Sequence, residues 1–326
     1  MSSGRTLKLN SGYSIPVVGL GTWQSGPNEV AKAVEFALRN GYRHIDAAAC
    51  YGNEHEVGQG IKASGVPRSE IFITSKLWNT YHKPEDVEEG LDQTLADLGT
   101  DYLDLYLVHF PVAFKKGAGP NDRFPIDPST GGIHVIDVSD GDTWKGLETM
   151  VNKGKVRSIG VSNFTRERIE NLMKTAKIKP AVNQIEAHPY LQQPALLEWL
   201  KSQDIVVESY SPSGNNIYGK PRGVDDPVVI DIAKRLDRQP AQVLIQWAIQ
   251  RGTVVLPKSV TPQRIIDNFQ EFELPPEAIS KIDTLDRHSR YNFPIRFGVD
   301  MFGECDEETL KKGVRDWIDS QKKPLK

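Results

Sequence analysis

The sequence predicts an α/β fold, a (β/α)8 (TIM) barrel, preceded by a β-hairpin and followed by a tail that caps its open end. Three observations lead there. β-rich runs alternate with helical patterns eight times without a break in composition, and strand alternating with helix means a parallel sheet. Runs such as residues 103–108 are apolar enough to be covered on both faces, as parallel strands must be. The 326 residues suit one barrel domain of roughly 250 residues with additions, read as residues 1–326 with 286–326 as the tail. A doubly wound open sheet satisfies the same alternation and remains the structural alternative.

Thr6–Leu9 and Ser14–Val17, joined by Asn-Ser-Gly-Tyr, read as the leading hairpin. Val30, Ala33, Val34, Ala37 and Leu38 follow helical spacing, and Asn40-Gly41 stops that helix. A strand at 43–47, a helix at 53–63 and a strand at 71–77 come next. Val87, Leu91, Leu95 and Leu98 mark a helix with Pro84 near its start and Gly99 at its end. Strand 103–109 leads into a long polar loop at 111–141. Helices are then expected at 142–153, 165–175, 194–203, 226–236, 240–251, 262–267 and 275–285. Strands are expected at 156–161, 181–185, 205–210, 253–257 and 268–272.

Forty basic residues against 43 acidic ones give a net charge of −3. That balance offers no field to hold nucleic acid or an anionic membrane, so neither is expected as a partner. Two cysteines make no disulfide framework and fit a reducing compartment. Residues 1–10 lack an apolar core of signal-peptide length, and no apolar stretch of ~20 residues exists to span a membrane. The expectation is a cytoplasmic protein. Cys50 reads as a small core residue.

Some patterns lead nowhere. Gly19-Leu-Gly21 begins like a dinucleotide fingerprint, but Gln24 stands where the third glycine belongs and no βαβ context surrounds it. Glu54-His55-Glu56 lacks a second histidine four residues on, and no metal site is expected. His188 before Pro189 reads as structural, and Trp144 and Trp247 as core.

Barrel chemistry sits at the C-terminal ends of the strands. Those ends offer Asp46 with Tyr51 just beyond, Lys76 then Trp78, His109, Ser162-Asn163, Gln184 and Glu186, Tyr210-Ser211, and Lys258-Ser259. Singly, each has a bland reading as a salt bridge or core polar group. Together, on successive strands of one barrel, they converge on one cavity. A tyrosine beside a lysine is a recognisable proton donor, because an ammonium lowers a phenol pKa of about 10 toward the working range. Asp46 would hold Lys76, and His109 would orient a carbonyl or assist the proton transfer. No nucleophile with an adjacent base is evident.

Three long runs then resemble the signatures of the aldo-keto reductases. They are Gly41-Tyr-Arg-His-Ile-Asp46-Ala-Ala-Ala-Cys-Tyr51 continuing to Gly58, Val151-Asn-Lys-Gly-Lys-Val-Arg-Ser-Ile-Gly-Val-Ser-Asn-Phe164, and Leu256-Pro-Lys-Ser-Val-Thr-Pro-Gln-Arg264. The resemblance implies a barrel that reduces carbonyls with NADPH, usually a cytosolic monomer. It implies the tetrad Asp46, Tyr51, Lys76 and His109, with Tyr51 as general acid in reduction. It places Gly21, Thr22 and Trp23 beside the cofactor, Ser162, Asn163 and Gln184 on the nicotinamide carboxamide, and Tyr210 with Ser211 and Ser213 against its ring and phosphates. Lys258 and Arg264, with Ser259 and Asn268, are implied for the adenosine 2′-phosphate, which favours NADPH over NADH, Asp267 for the adenine, and Val260 for the cofactor site beside them. Trp23, Trp78, His109 and Phe110 are implied to line the substrate pocket, although aldose reductases commonly carry Trp where Phe110 stands.

Ser213 replaces a leucine frequent in the family, and the loop 215–221 is short, which implies a weaker clamp on the cofactor and faster exchange. The tail segments Ser289-Arg-Tyr-Asn-Phe-Pro294 and Asp300-Met-Phe-Gly-Glu304, with Gly-Asn-Asn at 214–216, are similar to fungal NADP-dependent glycerol dehydrogenases and glyceraldehyde reductases. That likeness implies small hydroxyaldehydes or polyols as substrates, with Tyr291, Asn292 and Phe302 as selectivity residues. A xylose- or aldose-type sugar reductase and a slow NADPH-sensing regulatory barrel are the competing readings. A lyase lacks both metal site and Schiff-base context, since Lys76 beside Asp46 should stay protonated.

Overall fold

The computed structural model describes residues 4–214 and 219–322. β1 (Thr6–Lys8) and β2 (Ser14–Pro16) form an antiparallel hairpin. Then come β3 (Leu20–Gly21), α1 (Val30–Arg39), β4 (His44–Asp46), α2 (Glu54–Ser64), β5 (Phe72–Leu77), α3 (Val87–Leu98) and β6 (Leu103–Val108). The long loop carries a second small hairpin, β7 (Ala113–Phe114) with β8 (Val135–Ile136). α4 (Asp140–Asn152), β9 (Val156–Ser162), α5 (Arg166–Met173), β10 (Val182–Glu186), α6 (Pro194–Ser202) and β11 (Val206–Tyr210) follow. The chain finishes with α7 (Pro227–Arg235), α8 (Pro240–Gln250), β12 (Val254–Leu256), α9 (Pro262–Asn268), α10 (Pro276–Asp283) and α11 (Glu307–Gln321).

Eight parallel strands run in the order β12-β11-β10-β9-β6-β5-β4-β3. The ends of that sheet meet through parallel bridges Val18↔Val255 and Gly21↔Lys258. The amides of Gly19 and Gly21 donate to the carbonyls of Val255 and Pro257, both at 3.0 Å, and the Val255 amide donates back to the Val17 carbonyl at 2.8 Å. The sheet is thus a closed barrel, and closure removes both sheet edges. Leu105, Leu107, Val182 and Val254 fill its interior, and Leu9 and Ile15 of the hairpin close the amino end. The helices bury one face each against the outside, with Val34, Leu91, Leu147, Leu200 and Trp247 between the layers. Trp144 and Trp247 are core residues, as read from the sequence.

Gly19 shows why the first strand carries glycines. A Cβ there would lie 2.7 Å from His44 Nδ1 and from a Leu256 methyl, so only glycine lets the backbone pass the His44 ring at the closure.

Three elements differ from the expectation. The run 268–272 is not a strand: Asn268 ends α9 and the next residues lie outside the barrel. Phe269 stacks on Tyr42 with centroids 4.2 Å apart, which places this aromatic segment against the helix layer. The missing barrel strand is β3, too short and glycine-flanked for a period-2 pattern. The tail also holds a 15-residue helix, α11, capped by Asp306, whose carboxylate accepts from the Thr309 amide at 2.7 Å.

Candidate active site

The carboxyl ends of the barrel strands open into a cavity of about 920 Å³. At its floor β4 delivers Asp46 and β5 delivers Lys76. Lys76 Nζ donates to both Asp46 oxygens, at 2.8 and 2.9 Å, to the Ala47 carbonyl at 2.8 Å, and to the Tyr51 hydroxyl at 3.4 Å. The short 3-10 turn after β4 carries Tyr51 back over this pair. His109, directly after β6, packs edge-on to Tyr51 and Trp78 and face-on to Phe110. All four predicted tetrad residues therefore come together.

The electrostatics differ from the expectation in one respect. Lys76 is matched by Asp46, so the ammonium does not pull the phenol down. Burial of Tyr51, followed by the Asp46 carboxylate, raises its pKa well above the ordinary value. Burial, then the Lys76 charge, pushes His109 well below its ordinary range, so its imidazole is neutral. The site has a protonated phenol and a neutral histidine at physiological pH. Cys50 lines the same cavity rather than the core, and burial pushes its thiol up to about 12, which keeps it un-ionised.

Along the cavity wall the next three strands present hydrogen-bonding groups. The Ser162 hydroxyl donates to the Gln184 carbonyl at 2.9 Å. The Asn163 amide nitrogen donates to the His109 carbonyl at 2.9 Å, and its Oδ1 accepts from the Tyr210 hydroxyl at 2.7 Å. Asn163 (φ 64°) and Ser211 (φ 52°) occupy the left-handed region directly after β9 and β11. Non-glycine residues held there cost of order 1–3 kcal/mol each, and such positions cluster at functional sites.

At the far end Lys258, Ser259, Arg264, Asp267 and Asn268 line the cavity. Lys258 Nζ donates to the Gln24 carbonyl at 3.0 Å. Arg264 has no ion-pair partner among the described residues. Two cations with a serine hydroxyl and an amide form a donor set suited to a phosphate. Ser213 and Ser211 line the wall between the two ends, while residues 215–218 of the short loop lie outside the described residues.

Of the remaining predicted residues, Gly21, Trp23, Trp78, Phe110 and Asn292 line the cavity. Thr22 sits behind it, its hydroxyl donating to the Asp46 carbonyl at 2.8 Å. Val260 packs against the core. Tyr291 and Phe302 do not line the cavity. The Tyr291 ring lies against His188 and its hydroxyl donates to the Pro221 carbonyl at 2.6 Å, while Phe302 sits between Phe293 and the Arg290 guanidinium. Both fasten the tail. Glu186 does so as well, its carboxylate accepting from the backbone amides of Tyr291 at 3.0 Å and Asn292 at 2.8 Å and from His188 at 2.9 Å.

Sequence reasoning missed two features, one in the cavity and one beneath it. Arg296 lines the substrate end, resting near the Phe124 and Phe297 rings. Glu208, fully buried inside the barrel, lies 2.9 Å from Gln184 Nε2. A lone glutamate in the valine-rich run of β11 is the signal that could have found it.

The model of the Aldo/keto reductase family matches residues 17–287. The chain is 46% identical to a D/L-glyceraldehyde reductase of Hypocrea jecorina, over 94% of this chain and 97% of that one. It is 44% identical to Aldo-keto reductase family 1 member A1 of Cricetulus griseus, over 88% and 91%. Among solved structures, an aldose reductase from Schistosoma japonicum superposes with a TM-score of 0.85 at 42% identity, covering 92% of this chain and 99% of that one.

Proposed function

Because the chain belongs to the aldo/keto reductase family, we propose that it reduces small hydroxyaldehydes such as glyceraldehyde to alcohols, with NADPH as coenzyme and Tyr51 as the acid. That it is an oxidoreductase of carbonyl groups using a nicotinamide coenzyme follows from the family itself. The finer reading is carried by one observation: a phenol and a neutral imidazole share the floor of the cavity, with the Lys76 ammonium buried against the phenol, and the far end gathers Lys258 and Arg264.

The residues present fit the coenzyme. Ser162, Asn163 and Gln184 form an amide-recognising wall, and the Tyr210 ring borders the same space. At Gly21 a Cβ would sit 3.2 Å from the Leu256 carbonyl, so the glycine lets the chain pass close to the strand end that carries Lys258. When bound, the nicotinamide supplies the hydride for the carbonyl carbon.

The chain's own part is to bind, orient and move a proton. Trp23, Trp78 and Phe110 exclude water from the floor. Neutral His109 has an N–H to offer a carbonyl oxygen without competing as a base. Tyr51 gives its proton to that oxygen as alkoxide character develops. A raised phenol pKa does not prevent this, because an alkoxide is far more basic than a phenolate. Lys76, held on three oxygens, lies against the phenolate oxygen that remains.

We read the chain as one cytoplasmic, monomeric barrel domain. Among the described residues no helix is long and apolar enough to cross a membrane. The test is loss of NADPH absorbance with DL-glyceraldehyde, xylose and an aromatic aldehyde, repeated with NADH, and the reverse with glycerol and NADP. Fast NADPH-dependent glyceraldehyde turnover with slow xylose supports the reading. Faster xylose turnover replaces it with a sugar reductase, and tight NADPH binding without turnover of any carbonyl replaces it with a sensor.

A further inference from the structure

Asp46 and Lys76 balance each other inside the barrel, yet a second carboxylate lies just beneath them. Glu208, on β11, is fully buried, as are Gln184 and His44 beside it. Gln184 Nε2 is 2.8 Å from Asp46 Oδ1 and 2.9 Å from Glu208 Oε2. Asp46 is ion-paired with Lys76, so it accepts only. The Gln184 nitrogen must therefore face inward, with its two hydrogens shared between two carboxyl groups. Its Oε1 has no hydrogen-bond partner among the described residues, and Gln184 lines the cavity.

His44 Nδ1 lies 3.2 Å from the Pro16 carbonyl, an acceptor only, so Nδ1 carries hydrogen. His44 Nε2 faces the Thr74 hydroxyl at 3.0 Å and Glu208 Oε1 at 3.4 Å. The Thr74 hydroxyl can donate to that nitrogen, while Glu208 Oε1 has no hydrogen-bond partner among the described residues. Glu208 Oε2, turned to Gln184, is free to accept. The charged and titratable groups around Glu208 are Asp46 and His44 on β4 and Lys76 on β5, and Asp104 on β6 acts on His44. Burial and the nearby Asp46 push Glu208 well above the ordinary carboxylate range, in keeping with a retained proton.

We propose that Glu208 is a positioning residue for the coenzyme: with Asp46 it pins the Gln184 amide nitrogen inward and leaves the amide oxygen toward the cavity as the acceptor for a carboxamide N–H. The proposal rests on the coenzyme reading given above and deepens it. Without Glu208 the amide has one carboxylate anchor instead of two. Asp46 alone then holds the nitrogen inward, and the orientation that offers the oxygen is less firmly kept.

The experiment compares affinity for NADP with that for its 3-acetylpyridine analogue, which has a methyl ketone in place of the carboxamide and so no N–H to donate. Quenching of tryptophan fluorescence reports binding, which separates the result from turnover. The wild type should favour NADP by about tenfold, the order expected of one hydrogen bond. Gln184→Leu should abolish the preference. Glu208→Val should cut it to about twofold or less, whereas Glu208→Gln, which keeps an acceptor, should retain most of it. If Val does not fold, Glu208→Thr carries the same comparison. Loss of preference in Gln184→Leu with full preference in Glu208→Val or Glu208→Thr overturns the positioning role alone. No preference in the wild type overturns the carboxamide reading of Gln184 and this proposal with it.

Discussion

The roles proposed for Tyr51 and Arg264 can be separated by single substitutions. Tyr51→Phe removes one oxygen from a packed site and leaves Lys76 on Asp46 and the Ala47 carbonyl. Loss of a general acid costs typically 10²–10⁴-fold, so kcat for glyceraldehyde should fall by about that factor while NADPH affinity stays within about twofold. Steady-state kinetics beside a binding titration checks both, and an active Phe variant removes Tyr51 as the acid. Arg264→Ala takes away a guanidinium that has no ion-pair partner among the described residues. A charge-assisted hydrogen bond is worth about 1.5–3 kcal/mol, so NADPH should weaken by at least about tenfold and NADH hardly at all. Equal losses for the two coenzymes would contradict the phosphate assignment.

At the level of elements, the strand ends were legible because a polar residue after an apolar run is costly unless it faces a site or a partner. Asp46, Lys76, His109 and Gln184 all follow that rule. β3 was hidden because two residues at a glycine-containing turn make no pattern, and 268–272 looked like a strand because its two phenylalanines, Phe269 and Phe272, serve equally well to pack an irregular segment onto a helix layer. Glu208 was hidden by its own strand, where one acidic residue among valines reads as an outward-facing position. The tail's anchor was likewise invisible, since Glu186 recognises backbone amides and not side chains. That anchor can be tested: Glu186→Ala leaves two buried amides without their acceptor, a loss of about 1–3 kcal/mol each at most. The segment 291–297 should loosen, KM for the aldehyde should rise at least about fivefold, and kcat should change less. Limited proteolysis should cut the variant within the tail sooner than the wild type, and unchanged KM and cleavage would show that the tail holds by its aromatic contacts alone.

For the whole molecule, buried titratable groups set how stability follows pH. Glu54, hydrogen-bonded to Ser75 and Thr94, is pushed by burial to about 7 against an ordinary 4.5. Between those values the folded chain keeps a proton that the unfolded chain has released, so stability falls as pH rises through that window. Glu54→Gln keeps an acceptor and removes the titration. Its Tm should decline less than the wild type's between pH 5 and about 7, and parallel curves from thermal unfolding would deny Glu54 that role.

The barrel's closure has a consequence for the whole chain. Its seam joins β3, near the start of the sequence, to β12, more than two hundred residues later, through a handful of backbone bonds at Gly19, Gly21 and Val255. Lys258 sits on that seam, opposite Gly21 and reaching the Gln24 carbonyl. A ligand that engages Lys258 on one side and the Gly21–Trp23 turn on the other would act as a clasp across the line where the two ends of the sheet join. Coenzyme occupancy and the integrity of the cylinder then become linked quantities. Amide hydrogen exchange at residues 17–21 and 254–258 should slow on adding NADP by more than at β9 or β10, and uniform slowing would mean that the ligand stabilises the fold without favouring the seam.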